Sequence, residues 1–249
     1  MIEPNAWVIV PAKSFGNAKR RLSPLLSITE RVMLARTMLG DVLNAITGVP
    51  GLRNVAVVTS ADDVADYVRQ LGVTVIDDHS ANSTNAAVRV GFMEVARRHG
   101  GAVIALPSDV PSILPVDISM LFSAVKKAGV AIAPAPRDGG TNALACIDPG
   151  RIAPCFGPDS FTRHIDAANR SGIRPVVVMN GRLGLDLDEP CHLVEFLDAH
   201  TQTQTDAYLR SLRLSDRMEW PAGADWESFI PAAESGASRR EPASPAVWQ

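Results

Sequence analysis

Residues 7–24 read Trp-Val-Ile-Val-Pro-Ala-Lys-Ser-Phe-Gly-Asn-Ala-Lys-Arg-Arg-Leu-Ser-Pro, and the character of the chain changes sharply within them. Trp7 to Val10 is a short apolar run of the kind that forms a strand buried on both faces. From Pro11 to Pro24 the chain carries four cations, Lys13, Lys19, Arg20 and Arg21, and no acid. Ser27 and Glu30 follow in capping-box spacing, at the head of a helix. Strand, loop and helix in this order predict the opening unit of an α/β sheet, and such sheets bind ligands at the carboxyl ends of their parallel strands. Unpaired positive charge in that loop suits a polyphosphate, whose oxygens accept from Arg forks and Lys ammonium groups. A solvated basic loop is the alternative that the stretch leaves open.

The pattern continues downstream. A helix is expected from about Ser27 to Gly48, with Ile28, Val32, Ala35, Leu39, Val42 and Ile46 on one stripe. Val55 to Val58 reads as a second strand, Ser60 as a cap for the next helix, and Val73 to Ile76 as a third strand. A helix from about Thr84 to His99, a strand at Ala102 to Leu106, a helix near Val116 to Lys127 and a strand at Val130 to Ala133 extend the alternation. That spacing predicts the α/β class, with a mixed, mainly parallel central sheet flanked by helices.

The second half is less regular. It offers a Gly139-Gly140-Thr141-Asn142 turn, a strand at Ala143 to Ile147 and Phe156-Gly157-Pro158-Asp159-Ser160 before a helix. A strand at Val176 to Met179, Leu185-Asp186-Leu187-Asp188 and a helix near Glu189-Pro190 follow. A single domain is expected over residues 1–204, and a loosely held extension rich in Pro, Ala, Ser and Gly over 205–249. Trp220, Trp226 and Phe229 leave open that this extension docks another enzyme or a second subunit.

The 249 residues, 46% hydrophobic, are ample for one core. A net charge of −3 disfavours nucleic acid and anionic membranes as partners, so the cations of residues 13–21 are a local feature. Three scattered cysteines, Cys146, Cys155 and Cys191, fit neither a disulfide framework nor paired zinc-ligand spacing. They read as small apolar residues in a reducing compartment. With no leader segment and no apolar run of membrane-spanning length evident, a cytoplasmic protein is expected.

Gly-x-Gly-x-x-Gly after a strand and the P-loop pattern are both missing, so a nucleotide site must be of another design. Asp109 stands just past a buried strand, on the binding edge. Asp186 and Asp188, two apart in an extended segment, project to one face with Cα atoms roughly 7 Å apart, while Leu185 and Leu187 point into the core. Three such carboxylates could hold one or two magnesium ions against a triphosphate. Taken singly, Asp109 is equally a turn acid, and Asp186 and Asp188 a solvated face or a helix cap. Gly139 to Asn142 and Gly157 to Ser160 both offer free backbone N–H groups and a hydroxyl, and the second opens a helix, a ready anion site. No His or Ser-His arrangement is evident near these motifs.

These pieces together resemble the 2-phospho-L-lactate guanylyltransferases (CofC, or FbiD) of deazaflavin coenzyme F-420 biosynthesis. The similarity spans about Val10 to Leu193. It rests on Pro-Ala-Lys with Ala-Lys-Arg-Arg-Leu, Leu-Pro-Ser-Asp-Val-Pro, Gly-Thr-Asn-Ala-Leu, Phe-Gly-Pro-Asp-Ser-Phe with Arg163-His164, and Leu-Asp-Leu-Asp. The resemblance implies a nucleotidyltransferase fold related to the GT-A sugar-nucleotide enzymes, GTP as donor and a three-carbon phospho-acid as acceptor: 2-phospho-L-lactate, phosphoenolpyruvate or 3-phospho-D-glycerate. By matching position, Asp109, Asp186 and Asp188 would be metal ligands for Mg2+. Lys13, Lys19 and Arg21 would face the triphosphate, and Thr141, Gly157 and Ser160 would hold the acceptor. Asn85 would lie near the guanosine. Ser83-Thr84-Asn85 replaces the family's usual Gly-Leu-Asn, and Asp159 stands where a second glycine is frequent. A downstream transferase of the pathway and a second copy of the chain are the further partners in view. The rivals are another nucleotidyltransferase, acting on a sugar phosphate or the molybdenum cofactor, and a nucleotide-binding regulator without turnover.

Overall fold

The computed structural model describes residues 2–79, 83–98 and 100–214. Seven strands form one sheet: β1 (Trp7–Pro11), β2 (Asn54–Val58), β3 (Thr74–Ile76), β4 (Val103–Ala105), β5 (Val130–Ala135), β6 (Gly140–Cys146) and β7 (Val176–Val177). Among the described residues seven α-helices accompany them: α1 (Ile28–Thr47), α2 (Asp62–Gln70), α3 (Thr84–Arg97), α4 (Pro115–Ala128), α5 (Ser160–Arg170), α6 (Pro190–Asp198) and α7 (Gln204–Ser211). The strand order is β3-β2-β1-β4-β6-β5-β7. β1 pairs in parallel with both β2 and β4, and β6 runs antiparallel between β4 and β5. The sheet is therefore mixed and mainly parallel.

β1 shows why a continuous apolar run is needed. Val8 and Val10 point into a core shared with α1, α2, α4, α6 and α7, whereas Trp7 and Ile9 point into a second core beneath α3 and α5. With helices on both faces, neither face of the strand can be polar. α3 crosses the sheet closely at Gly91, where a Cβ would stand 2.5 Å from Ile9 Cδ1 and 3.0 Å from Val58 Cγ2. Helix starts follow local chemistry. Ser27 and Glu30 close a full capping box on α1. Ile28, expected on the buried stripe, is 66% exposed, because the face that packs is formed by Leu34, Ala35, Met38, Leu39, Val42 and Ile46. Ser60 does not cap α2; Ala61 is its N-cap residue, and Thr59 Oγ1 accepts from the Ala61 N–H instead.

The sheet order sets the site. The chain lays β2 and β3 on one side of β1 and then crosses to place β4 on the other, so β1 and β4 flank the switch point of the sheet. Because β6 is antiparallel to β4, its first residues lie at the same edge as the carboxyl ends of β1 and β4. The expected Gly139–Asn142 turn is thus shorter: Gly140, Thr141 and Asn142 already belong to β6.

The boundary expected at residue 204 falls at the first residue of α7. Asp41, buried on α1, accepts from the backbone N–H of Gln204 and Thr205 and from Thr205 Oγ1, and Leu209 is fully buried. A buried carboxylate holding the start of a helix keeps residues 205–214 packed against the domain. Trp220, Trp226 and Phe229 lie outside the described residues. Among the described residues, no helix is long and apolar enough to cross a membrane.

Candidate active site

The basic loop after β1 folds as two 3-10 turns, Phe15–Asn17 and Arg20–Leu22, pinned by the burial of Phe15 and Leu22. Asp63, in the first turn of α2, fixes its start by accepting from Ser14 Oγ and the Phe15 N–H, and Phe15 packs edge-on against Tyr67. Lys19 sits between the turns at φ 53°, a left-handed conformation that a residue with a Cβ adopts only at some cost. That conformation turns its side chain inward. Lys19 Nζ lies 2.7 Å from Asp109 Oδ2 and 2.6 Å from Asp188 Oδ1, with the side chain 7% exposed.

The loop is therefore only in part a rim of unpaired charge. A buried ammonium requires carboxylate partners, and Lys19 has two. Arg21 pairs with Glu189 at 3.1 Å. Lys13 is exposed and makes no ion pair among the described residues. Burial pulls the Lys19 pKa down, but the charges and hydrogen bonds of Asp109 and Asp188 outweigh it and the net shift is upward. Asp109 is raised, chiefly by burial, with Lys19 opposing and Asp188 and Asp186 adding to the rise. For Asp188, burial is outweighed by Lys19, then by Arg21 and His192, and its pKa falls below the ordinary value.

Asp186 and Asp188 reach this point on residues 180–189, a segment without regular structure, with Leu185 and Leu187 buried beneath them. Four anchors hold the segment. The Leu187 N–H donates to Asp109 O, tying the two acid-bearing loops together. Asn142 Nδ2 donates to Leu183 O and, at 3.3 Å, to Asp186 Oδ1. Asp117, fully buried at the head of α4, accepts from Asn180 Nδ2 and from two nitrogens of Arg182. His192 Nδ1 accepts from the N–H groups of Asp188 and Glu189. Asn142 lies in the Gly-Thr-Asn-Ala-Leu piece without its role being legible there, and Asp117, Arg182 and His192 do not stand out in the sequence, because each acts on a residue remote in the chain or on backbone.

Beside the acids, the loop before β6 packs on the loop before α5: Asp159 N–H donates to Asp138 O, and Phe161 N–H donates to Gly139 O. This sets the start of β6, which carries Thr141, against the loop and helix start that carry Gly157 and Ser160. Gly157 has φ 120°, a conformation open essentially to glycine. Ser160 is fully buried at the start of α5, and its Oγ has no hydrogen-bond partner among the described residues. An unpartnered buried hydroxyl at a helix N-terminus fits an anion. Asp159 is exposed, and its side chain does not cap the helix. A histidine is present here after all: His164 Nδ1 is 2.9 Å from Thr141 Oγ1. Asn85, on α3, donates from Nδ2 to Phe156 O, and its buried Oδ1 has no partner among the described residues.

The donor set near Lys19 suits a hard divalent cation. Three carboxylates against one ammonium leave an excess of negative charge, and a cation already bridges two of them. Glu189, Cys191 and His192 also bring ligand atoms within 4.8 Å of one another. There Glu189 is engaged by Arg21, and His192 Nδ1 by two backbone N–H groups. The aspartates are the better fit.

Comparisons with known proteins bear on the family and the fold. A phosphoenolpyruvate guanylyltransferase of Nocardia farcinica is 35% identical over 221 residues, covering 86% of this chain and 95% of its own. A 2-phospho-L-lactate guanylyltransferase of Methanothermobacter thermautotrophicus is 34% identical over 218 residues, covering 85% and 96%. The crystal structure of a Desulfovibrio desulfuricans protein assigned as a nucleotide-diphospho-sugar transferase superposes with a TM-score of 0.70 at 15% identity, over 86% of this chain and 98% of that one. The family model described as guanylyl transferase CofC-like matches residues 6–227. This chain belongs to that family, the CofC-like guanylyl transferases, and has the fold of the nucleotidyl-transferring enzymes.

Proposed function

We propose that this enzyme transfers GMP from GTP to the phosphate of a three-carbon phospho-acid, releasing pyrophosphate, as a step of coenzyme F-420 biosynthesis. The observation that carries the reading is the convergence of Lys19, Asp109 and Asp188 beside the pocket of Thr141, Gly157 and Ser160, at the switch edge of the sheet. The relatives are named for different acceptors, phosphoenolpyruvate and 2-phospho-L-lactate, at almost equal identity. Acceptor choice within this class, 3-phospho-D-glycerate included, then depends on a few side chains and not on the fold.

In this mechanism an oxygen of the acceptor's phosphate attacks the α-phosphorus of GTP. The bond from that phosphorus to the bridging oxygen of the β-phosphate breaks, and pyrophosphate departs with the electron pair. A phosphate monoester is largely ionised at neutral pH, so the step needs no general base. Lys13, Lys19 and Arg21 orient the triphosphate and offset its charge. Asp109, Asp186 and Asp188 would hold Mg2+, which when bound supplies further neutralisation of the charge on the departing phosphates. Ser160, Thr141 and the N–H groups near Gly157 hold the acceptor anion. Asn85, whose Oδ1 acceptor has no partner among the described residues, suits the N–H donors of guanine.

The test is to incubate the protein and Mg2+ with each of GTP, ATP, CTP and UTP against the three phospho-acids and a sugar phosphate, following pyrophosphate and the mass of the product. A guanosine diphosphate conjugate of one phospho-acid is expected. Turnover confined to a sugar phosphate, or ligand-induced stabilisation without product, overturns the reading.

A further inference from the structure

The mechanism just given makes no use of His164, yet this residue has the most fully determined hydrogen bonding in the pocket. Its ring is 0% exposed, packed edge-on against Phe156 with ring centroids 5.2 Å apart. Nε2 lies 2.9 Å from the backbone N of Cys155. A backbone amide can only donate, so Nε2 must be the accepting nitrogen. A neutral imidazole then carries its single proton on Nδ1. A charged ring would set a second N–H against that of Cys155, and burial, together with the neighbouring Arg163, pushes the His164 pKa down to about 4.

Nδ1–H therefore donates to Thr141 Oγ1, across 2.9 Å and 23 positions of sequence. This fills an acceptor position on the hydroxyl and forbids its proton from pointing back at the ring. No second partner for Thr141 Oγ1 occurs among the described residues. Ser160 Oγ, equally buried, is likewise unspent.

We propose that His164 is a positioning residue: by donating to Thr141 it commits the Thr141 hydroxyl proton to the acceptor, so that the pocket meets its ligand with two hydroxyl donors. The proposal rests on Thr141 contacting the acceptor. Its chemical consequence is selection for a group that only accepts hydrogen bonds, a carboxylate or phosphate oxygen, over a primary amide or alcohol of the same shape. Such a group leaves both hydroxyls paired, whereas a donor group would face two protons.

Two measurements test it. Ring 15N chemical shifts of histidine-labelled, ligand-free protein at pH 7 are expected to show His164 protonated at Nδ1 and bare at Nε2. The opposite tautomer, or a charged ring, overturns the proposal without any variant having to fold. The second measurement is KM for GTP and for whichever of the three phospho-acids turns over fastest. In His164→Asn the amide nitrogen overlays Nδ1 and keeps the donor; in His164→Gln it overlays Nε2 and the donor to Thr141 is lost. His164→Gln and Thr141→Val are expected to raise acceptor KM about tenfold or more, the loss of one hydrogen bond to a charged group, with GTP KM within about twofold. His164→Asn should stay within about threefold of the parent. Equal KM shifts in the Asn and Gln variants, or a change in kcat alone, overturn the role of His164. An unchanged acceptor KM in Thr141→Val, alongside the Nδ1–H tautomer, overturns the proposal by removing Thr141 from the acceptor site, with the hydrogen-bond geometry left standing.

Discussion

Lys19 Nζ and Asp188 Oδ1 meet at 2.6 Å across 169 positions of sequence, and Asp109 completes the bridge from the other side. The three residues come from the loop after β1, the loop after β4 and the segment before α6. The pairing places the inward-turned cation of the basic loop in contact with two of the three acids proposed to hold a metal. An ammonium and a divalent cation would compete for the charge of these carboxylates, so a metal held by Asp109 and Asp188 would weaken their hold on Lys19 and favour its turning to another anion. The triphosphate of the nucleotide is the anion at hand.

Replacing Lys19 by Met is expected to cost about 2 kcal/mol of stability. This is less than the ~3–5 kcal/mol for breaking a fully buried pair, because Asp188 remains 43% exposed. Magnesium without nucleotide should then raise Tm more in Lys19→Met than in the parent, since the site has lost its resident cation. An equal magnesium-induced rise in Tm in Lys19→Met and in the parent would show that Lys19 and the metal do not share these oxygens.

Asp109→Asn and Asp188→Asn should fold and retain the sheet, and each should lower kcat by about 100-fold or more, the several kcal/mol that a bound metal supplies to phosphoryl chemistry. Pyrophosphate release with magnesium and GTP measures this. Full activity in either variant refutes its role as a metal ligand.

His164 makes stability depend on pH in a defined direction. The unfolded chain protonates this histidine below about 6.5, whereas the folded chain resists until about pH 4. The unfolded state therefore binds more protons in that window, and stability falls as pH drops through it, by about 3 kcal/mol at most. Comparing the parent with His164→Asn cancels the carboxylates and the other histidines. Urea midpoints taken at pH 7, 6 and 5 should diverge, with the parent losing more. Parallel curves contradict a buried neutral ring.

Asp117 supports the acids at a distance. Its carboxylate, 0% exposed, accepts from Leu114 N–H, Asn180 and Arg182, joining the head of α4 to the segment that carries Asp186 and Asp188. Asp117→Asn is expected to cost about 2–3 kcal/mol in urea unfolding, because the ion pair with Arg182 is lost and one acceptor becomes a donor. The magnesium concentration for half-maximal rate should rise several-fold as the segment loosens. A variant destabilised but unchanged in metal requirement would limit Asp117 to a structural role.

Much of this molecule is settled by local rules. The apolar run of Trp7–Val10, the capping box of Ser27 and Glu30 and the burial of Leu185 and Leu187 under Asp186 and Asp188 each depend on neighbours within a few positions, so they are legible in the order of residues. Alternating strands and helices give the α/β class by the same logic. The tertiary structure decided which charges meet. The loop cations are alike in sequence, yet Lys19 is buried between two aspartates while Lys13 stays exposed, because only Lys19 occupies the left-handed turn that points inward. His164 and Asn142 gained their roles from the antiparallel insertion of β6 between β4 and β5, which carries Thr141 and Asn142 to the edge where Asp109 already lies. Periodicity records which face of an element is dry. Hydrogen bonds and ion pairs act over about 3 Å, and which groups come that close is fixed by strand order.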